Sequence, residues 1–221
     1  MRIKKYVMVI VFGIFAVLAG CGQSAEEKIY NHLEETVSLE ADFAKTQNEM
    51  TDLESQENKI YDEIMELGMD EFKQIQKLSA DAEKNIDKRT EKLGIEQESV
   101  ENAKEEFKKT QALINDLKEK AAKTKAEKMY DVMIKRYKTY DQLHKAYKQS
   151  LAQEKKLYNV LQEKESSQDE LTKQINALNK TYEKVIAANK DFNKYTNNYN
   201  QAKKAFYKHT DLKVSYEAKN E

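Results

Sequence analysis

The sequence predicts an all-α protein, an elongated antiparallel up-and-down helical bundle with coiled-coil-like packing. The 221 residues include no proline and five glycines, three of which lie within the first 22 residues, so little interrupts a helix after that point. Charged residues make up 35% of the chain and the mean hydropathy is -0.90, which excludes a multi-span membrane protein and a compact α/β enzyme. From residue 24 onward, apolar residues recur every three or four positions, the spacing of one helix face.

The first predicted helix begins at a capping box and continues through a regular apolar face. Ser24 and Glu27 have the capping-box spacing, and the apolar face between residues 39 and 67 repeats every 3.5 residues on average, which is typical of helices packed at a shallow angle. At Gly68 the apolar pattern shifts by one residue, which predicts a kink or a break. Gly94, followed by an isoleucine, fits a left-handed helix C-cap, so we expect the first helix to end there.

The remainder of the chain predicts two further helices. The second covers residues 95–165 and loses its apolar phase over residues 121–128, which we interpret as a stutter. The third follows a second capping box, Ser167 with Glu170. Residues 24–93 and 95–165 are nearly equal in length and would form an antiparallel hairpin. The bundle therefore has three long helices, or four if Gly68 reverses the chain completely.

The N-terminus has the pattern of a secretory signal peptide. Residues 1–5 carry three positive charges, and residues 6–19 are uncharged and mostly apolar. The apolar run is shorter than the ~20 residues that a membrane-spanning helix needs. We therefore expect residues 1–20 to be removed, with a single membrane span as the alternative.

The apolar run ends in Leu18-Ala19-Gly20-Cys21, which looks like a bacterial lipobox. In such a motif the cysteine receives diacylglycerol and becomes the new N-terminus, and two acyl chains are enough for stable membrane attachment. Cys21 is also the only cysteine, so an intrachain disulfide is excluded. The prediction is a lipidated tether at residues 21–23, a helical-bundle domain at residues 24–216, and a frayed tail at residues 217–221.

Two segments indicate a family. IYDEIMELGMDEFKQIQKL at residues 60–78 and DKRTEKL at residues 87–93, together with the lipobox, resemble the YkyA-type lipoproteins of Gram-positive bacteria, a family named for cell-wall binding. The resemblance implies an envelope lipoprotein with a helical body, lipidated at Cys21 and held on the outer face of the cytoplasmic membrane. It implies no enzymatic activity and supplies no catalytic residues.

Residues that could carry chemistry are few and scattered. His32, His144 and His209 fall at well-separated heights of the predicted bundle, and neither HExxH nor CxxC spacing occurs. The chain has 39 acidic residues, so adjacent acids mean little, and a narrow bundle offers no evident cleft for glycan hydrolysis. We therefore expect no enzyme, no metal site and no cofactor. A wall-remodelling enzyme is the least favoured alternative.

Charge divides the mature chain into an acidic and a basic half. Residues 21–117 contain 12 basic and 25 acidic residues, whereas residues 118–221 contain 23 and 14. One explanation is structural, because an acidic helix can pack against basic ones. The other is functional: residues 118–158, with 12 basic and 5 acidic residues interleaved with tyrosines, suit anionic polymer or lipid headgroups. The third helix is rich in Asn, Tyr and Lys, which suits glycans but also follows from a biased base composition.

These observations favour a membrane-anchored lipoprotein that binds cell-wall polymer or peptidoglycan by contact. The first alternative is a helical scaffold that binds an envelope protein through a helix face. The extracytoplasmic location argues against nucleic acid as a partner. The candidate polymer-binding residues are Lys135, Arg136, Lys138, Lys145, Lys148, Tyr195, Tyr199, Lys203 and Lys204.

Overall fold

The computed structural model describes residues 23–212 and residue 214, and this part of the chain is helical with no strand. The predicted signal peptide, the lipidation site Cys21 and the predicted tail at residues 217–221 lie outside the described residues. The prediction of an all-α helical bundle is confirmed. The helices are α1 (Ala25–Leu39), α2 (Ala41–Glu66), α3 (Phe72–Lys108), α4 (Thr110–Asn115), α5 (Lys120–Leu161) and α6 (Gln168–Tyr207), with a 3₁₀ turn at Met69–Glu71.

The chain reverses direction around Gly68, so the four-helix alternative is the one observed. The side chain of Asn85 in α3 donates to the carbonyl oxygen of Leu53 in α2 at 2.9 Å. Farther along, Gln47 Nε2 lies 2.5 Å from Glu96 Oε2. Positions that approach Gly68 in α2 therefore pair with positions that leave it in α3, which makes the two helices antiparallel neighbours.

The expectation that Gly94 ends the first helix is wrong. Gly94 lies inside α3, which continues to Lys108, and the predicted hairpin of residues 24–93 with 95–165 is therefore not formed. A glycine inside a helix costs only about 1 kcal/mol relative to alanine. The buried side chains of Leu93 and Val100 on either side of Gly94 outweigh that cost, because burying each one contributes about 1.5–3 kcal/mol.

The stutter predicted for residues 121–128 is also absent. Ala122 and Ala126 are completely buried and continue the apolar face of α5 toward Met129. The interruption is instead a turn before α5, where the carboxylate of Glu119 accepts a hydrogen bond from the backbone N–H of Ala122. Glutamate is an uncommon N-terminal cap, so the sequence did not indicate the turn before α5. Alanine is only weakly apolar, so the apolar pattern did not reveal that Ala122 and Ala126 are buried.

The capping box predicted at Ser24 and Glu27 is present, and the Ser167 hydroxyl caps α6 with one of the two bonds of a capping box. The backbone N–H of Ser24 donates to Glu27 Oε2 at 2.8 Å, and the N–H of Glu27 donates to Ser24 Oγ at 3.1 Å. At the start of α6, the N–H of Glu170 donates to Ser167 Oγ at 3.1 Å. These bonds satisfy backbone donors that the first helical turn leaves unpaired.

A break at Glu40, which the apolar pattern did not indicate, separates α1 from α2. The Ser99 hydroxyl donates to the carbonyl oxygen of Leu39 at 2.6 Å and accepts from the N–H of Phe43 at 3.1 Å. One side chain of α3 thus satisfies backbone groups on both sides of the break. Because these backbone groups have hydrogen-bond partners, the helix can be interrupted without leaving buried polar atoms unpaired.

The chain forms two compact units. Unit 1 comprises the described parts of residues 1–44, 98–137 and 194–221, and unit 2 comprises residues 45–97 and 138–193. Each unit has its own apolar core. Core residues of unit 1 include Ile29, Leu33, Val100, Phe107, Ile114, Met129, Met133, Tyr137 and Phe206. Those of unit 2 include Met50, Ile64, Ile75, Ala82, Ile86, Leu93, Leu151 and Tyr158.

Candidate functional site

A groove of about 430 Å³ lies between α5 and α6 in unit 1. The α5 side is formed by Lys125, Lys128 and Val132, which are three and four residues apart and therefore share a helix face. The lining residues from α6 are Asn198, Gln201, Ala202 and Ala205. The groove thus combines two ammonium groups with two side-chain amides.

The floor of the groove exists because α6 places small residues there. Ala202 is buried and Ala205 half-buried, and neither side chain extends far enough to fill the space between the two helices. Longer apolar side chains at these positions would close the groove, as they do elsewhere in the core. The result is a surface depression with a small apolar base and polar walls.

The two segments that form the groove are strongly basic. Residues 120–137 and 194–210 together contain ten basic and two acidic residues. The other two segments of unit 1, residues 24–44 and 98–116, contain four basic and eleven acidic residues. Unit 1 therefore has a positive side and a negative side although its charges nearly cancel, and the groove lies on the positive side, which favours anions.

A buried ion pair fixes α5 beside the break at Glu40. Arg136 donates two hydrogen bonds to the carboxylate of Glu40, at 2.6 and 3.0 Å, and its Nε donates to Thr196 Oγ1 at 3.1 Å. Arg136 is 4% exposed. Arg136 thus links α5 both to the break between α1 and α2 and to α6 within unit 1. These bonds help to hold the two helices that line the groove in a fixed orientation.

A second buried cation lies on α6. Lys203 is 3% exposed, and its ammonium group lies 5.7 Å from the ring centroid of Tyr199, which is itself buried. Burial lowers the pKa of Lys203, an effect that the carboxylates of Glu34 and Glu40 partly oppose. Lys203 is thus part of the interior of unit 1, where Glu34 of α1 and Glu40 at the break partly balance its charge.

The prediction is therefore wrong for three of the candidate polymer-binding residues. Arg136, Tyr199 and Lys203 were expected on a binding surface, but all three are buried and cannot contact a polymer in the folded chain. They lie on the faces of α5 and α6 that pack into the interior of the bundle, not on faces exposed to solvent. The remaining candidates are accessible: Lys135 and Lys204 are exposed and Tyr195 half-buried in unit 1, and Lys138, Lys145 and Lys148 are exposed in unit 2.

The sequence did not identify the individual residues that line the groove. Lys125 and Lys128 fall within the basic stretch 118–158, and Asn198 within the Asn-rich part of α6, so composition indicated the two helices. It could not indicate the groove, because that requires knowing which face of α5 meets which face of α6. Lys135 continues the Lys128 face of α5 by seven residues, and Tyr195 precedes Asn198 by three residues on α6.

The histidines occupy three different environments. His32 Nδ1 lies 2.6 Å from Glu106 Oε1 in unit 1, and His209 is exposed. His144, in unit 2, is half-buried, and burial together with the nearby Lys148 lowers its pKa. Among residues 23–212 and 214, no group of three or more His, Cys, Asp or Glu side chains is placed to hold a metal ion.

Unit 2 contains a network of buried charges and tyrosines. Arg89 donates to Glu154 and, through Nε, to Asn85 Oδ1 at 3.0 Å. Tyr182 OH donates to the other oxygen of Glu154 at 3.0 Å. Tyr147 OH donates to Glu54 at 2.7 Å, and Tyr158 OH donates to Glu57. Each of these carboxylates thus has a hydrogen-bond donor.

Burial raises the pKa of two of these carboxyl groups, Glu54 and Glu57, and the tyrosine hydrogen bonds only partly oppose the rise. Hydroxyl groups of α5 thus meet carboxyl groups of α2. Two ion pairs join a cation of α5 to an acid of the acidic half, Arg136 with Glu40 and Lys155 with Asp87, whereas in the Arg89–Glu154 pair the cation lies on α3 and the carboxylate on α5. The structural explanation of the charge division therefore accounts for part of it.

None of the helices that the structure describes is long and apolar enough to cross a lipid bilayer. Two comparisons show which known proteins the chain resembles. It is 36% identical over 192 residues to "Uncharacterized lipoprotein YkyA" of Bacillus subtilis (strain 168), a match that covers 86% of each chain. A crystal structure of "a Conserved Protein of Unknown Function from Staphylococcus aureus" has the same fold, with a TM-score of 0.73, 18% identity, and coverage of 82% of this chain and 93% of that one.

A family model also matches. It spans residues 24–209, which is most of the chain and includes both units, and its description is "Putative cell-wall binding lipoprotein". The resemblance read from residues 60–78 and 87–93 is confirmed by this match. The chain belongs to the YkyA family of lipoproteins.

Proposed function

We propose that this protein is held on the outer face of the cytoplasmic membrane by diacylglycerol on Cys21, and that unit 1 binds an anionic cell-wall polymer. It acts by binding rather than catalysis. The single observation that supports the proposal most is the groove between α5 and α6, where two lysines and two amides surround a small apolar floor on the positive side of unit 1.

The chemistry of the groove suits a polymer that alternates anions and hydroxyl groups. Lys125 and Lys128 supply compact positive charges that pair with phosphate or carboxylate. Asn198 and Gln201 supply amides, each of which can donate to and accept from a hydroxyl group. Lys135 and Tyr195 lie farther along the same two helix faces and extend the surface for a longer ligand.

The test is co-sedimentation of the mature protein, residues 21–221 in detergent, with purified cell wall that retains or lacks its anionic polymer. The variant Lys125→Gln/Lys128→Gln removes two charges from the groove. The matched control Lys180→Gln/Lys184→Gln removes two exposed charges from the part of α6 that belongs to unit 2.

We expect the wild type and the control to sediment only with polymer-bearing wall, and the binding to weaken as salt rises because the contact is electrostatic. The groove variant should bind at least about tenfold more weakly, since each lost charge contact in a partly shielded site is worth about 1 kcal/mol. Equal binding by the groove variant and the wild type would contradict the proposal.

A second candidate function is a scaffold that binds an envelope protein. The observation in its favour is the pair Met65 and Met69, which are 63% and 65% exposed on either side of the turn at Gly68 in unit 2. Exposed methionines adapt to varied apolar partners. Crosslinking in cells would test this function: a crosslinked protein that disappears in Met65→Lys/Met69→Lys, while wall binding is kept, would support it.

A further inference from the structure

The start of α1 lies beside the turn that precedes α5. Gln23, Ser24 and Lys28 line one cavity of about 420 Å³ together with Asp116 and Lys118. Both segments belong to unit 1, which also contains the groove. The end of unit 1 at which the described chain begins is therefore also the end at which α5 begins.

Covalent geometry limits how far this end can lie from Cys21. Only two residues separate Cys21 from Ser24, the first residue of the capping box. An extended chain spans at most about 3.6 Å per residue, so Ser24 can lie no more than about 11 Å from Cys21 in any conformation of the intervening residues.

The groove lies close to the same end. Lys125 and Lys128 are five and eight residues into α5 from Lys120, its first residue. At 1.5 Å of rise per residue these positions are only about 8 and 12 Å along the helix. With about 10 Å between neighbouring helices and two further residues of turn, the path from Cys21 to the groove is about 40 Å at most.

This limit does not depend on how the protein is tilted on the membrane. If Cys21 carries a lipid, the groove can sample only a layer about 40 Å deep above the bilayer surface. A polymer that is itself anchored in the same bilayer always has its anchored end within that layer. Two partners tethered to one surface meet at a high effective concentration, whereas a polymer fixed farther out must extend into the layer first.

We infer that the ligand of the α5–α6 groove is a polyanion carried on a membrane lipid, a phosphodiester-linked polyol or sugar chain, rather than polymer attached to peptidoglycan. This inference rests on the proposed function, including lipidation at Cys21. It adds the source of the ligand, which the chemistry of the groove alone does not determine.

The test uses the lipidated mature protein in vesicles and compares two ligands with the same repeating unit. In the first arm the same vesicles contain lipid-anchored poly(glycerol phosphate). In the second arm polymer-free vesicles are mixed with wall fragments that bear covalently attached poly(glycerol phosphate). A photocrosslinker at Gln201, which is exposed on the rim of the groove, reports contact in both arms.

Two variants separate the effect of the tether length from the effect of the groove lysines. One carries a 20-residue Gly/Ser linker between Gly22 and Gln23, which adds about 25 Å of average reach. The other is Lys125→Gln/Lys128→Gln in the native tether. We expect the native tether to give at least about tenfold more crosslinking in the first arm than in the second. The long tether should raise crosslinking to wall fragments and reduce that preference.

The two possible failures are distinguishable. Strong crosslinking of wall fragments by the native tether, unchanged by the linker, would overturn the inference while leaving polymer binding intact. Crosslinking that is equal in wild type and the Lys125→Gln/Lys128→Gln variant in both arms would instead overturn the proposed function. Crosslinking to the lipids of polymer-free vesicles alone would assign the groove to lipid headgroups, and that result would overturn the inference and the proposed function together.

Discussion

The guanidinium group of Arg89 donates a hydrogen bond to the carboxylate of Glu154 inside unit 2, where the two residues are 2% and 1% exposed. The pair joins α3 to α5 at a depth where water cannot solvate either charge. Removal of one partner from such a pair leaves an uncompensated charge in the interior, whereas removal of both is far less harmful.

We therefore expect Arg89→Leu to lower the free energy of unfolding by about 3–5 kcal/mol. The double variant Arg89→Leu/Glu154→Leu should be less destabilised than Arg89→Leu alone. Urea denaturation followed by circular dichroism measures both. A matched control is Lys84→Gln, which breaks the exposed ion pair of Lys84 with Asp81 and should change stability little. A double variant that is as destabilised as Arg89→Leu, or more so, would contradict the coupling.

A second buried carboxyl group predicts a pH-dependent stability. Burial raises the pKa of Glu96 to about 7, and hydrogen bonds from Gln47 and Tyr140 oppose the rise only in part. Between the ordinary pKa of 4.5 and about 7, the folded chain binds a proton that the unfolded chain releases. The free energy of unfolding therefore falls as the pH rises through this window, by about 3 kcal/mol from this residue.

The variant Glu96→Gln keeps the shape of the side chain and removes its charge. It should raise stability at pH 8 and flatten the pH dependence, although Glu54 and Glu57, whose pKa burial also raises, preserve part of the slope. Denaturation at a series of pH values measures the effect. Glu98→Gln, at an exposed position of α3, is the control and should follow the wild-type profile. A stability that increases from pH 5 to pH 8 in the wild type would contradict the prediction.

Gly94 provides a direct test of the helix that the sequence pattern misplaced. Beyond the adjacent residues and the backbone of its own helix, no atom lies within 4 Å of a methyl group built at Gly94, and the backbone there is helical. We therefore expect Gly94→Ala to raise the free energy of unfolding by about 0.5–1 kcal/mol, because alanine is the better helix former. Thermal denaturation measures the change. A clear loss of stability would indicate instead that Gly94 adopts the left-handed conformation of a helix end.

Anchoring through Cys21 predicts that Cys21→Ala releases the protein or leaves its precursor unprocessed. Cell fractionation with gel mobility measures both outcomes, and the wild type should stay with the membrane in high salt because two acyl chains hold it. Ser24→Ala is a suitable control, since it weakens only the cap of α1. Membrane attachment and mobility unchanged by Cys21→Ala would contradict the lipid anchor.

Much of the fold could be predicted because regular apolar spacing is a local property of the chain. The buried positions Phe43, Met50 and Ile64 follow the predicted 3.5-residue repeat, and both predicted serine caps form as expected. The turn at residues 116–119 could not be predicted in the same way. It depends on a glutamate cap and on two alanines whose burial is decided by the neighbouring helices.

The site was less predictable than the fold because charge and burial conflict along these helices. Arg136 and Lys203 occur in the basic half of the sequence, which suggested a surface role, yet each is buried against acidic residues of the other half. Lys125 and Lys128 differ from them only in the helix face they occupy. Nothing local in the sequence distinguishes a lysine that balances an internal carboxylate from one that lines a groove.

The binding isotherm of the mature protein with soluble poly(glycerol phosphate), measured in detergent at several salt concentrations, shows directly whether the α5–α6 groove binds an anionic polymer. The comparison is between wild type, Lys125→Gln/Lys128→Gln and Lys180→Gln/Lys184→Gln. We predict that only the groove variant loses affinity, and that its binding depends less steeply on salt because fewer ionic contacts remain. Equal loss of affinity in both double variants would show that the polymer responds to net charge rather than to the α5–α6 groove, and would contradict the account.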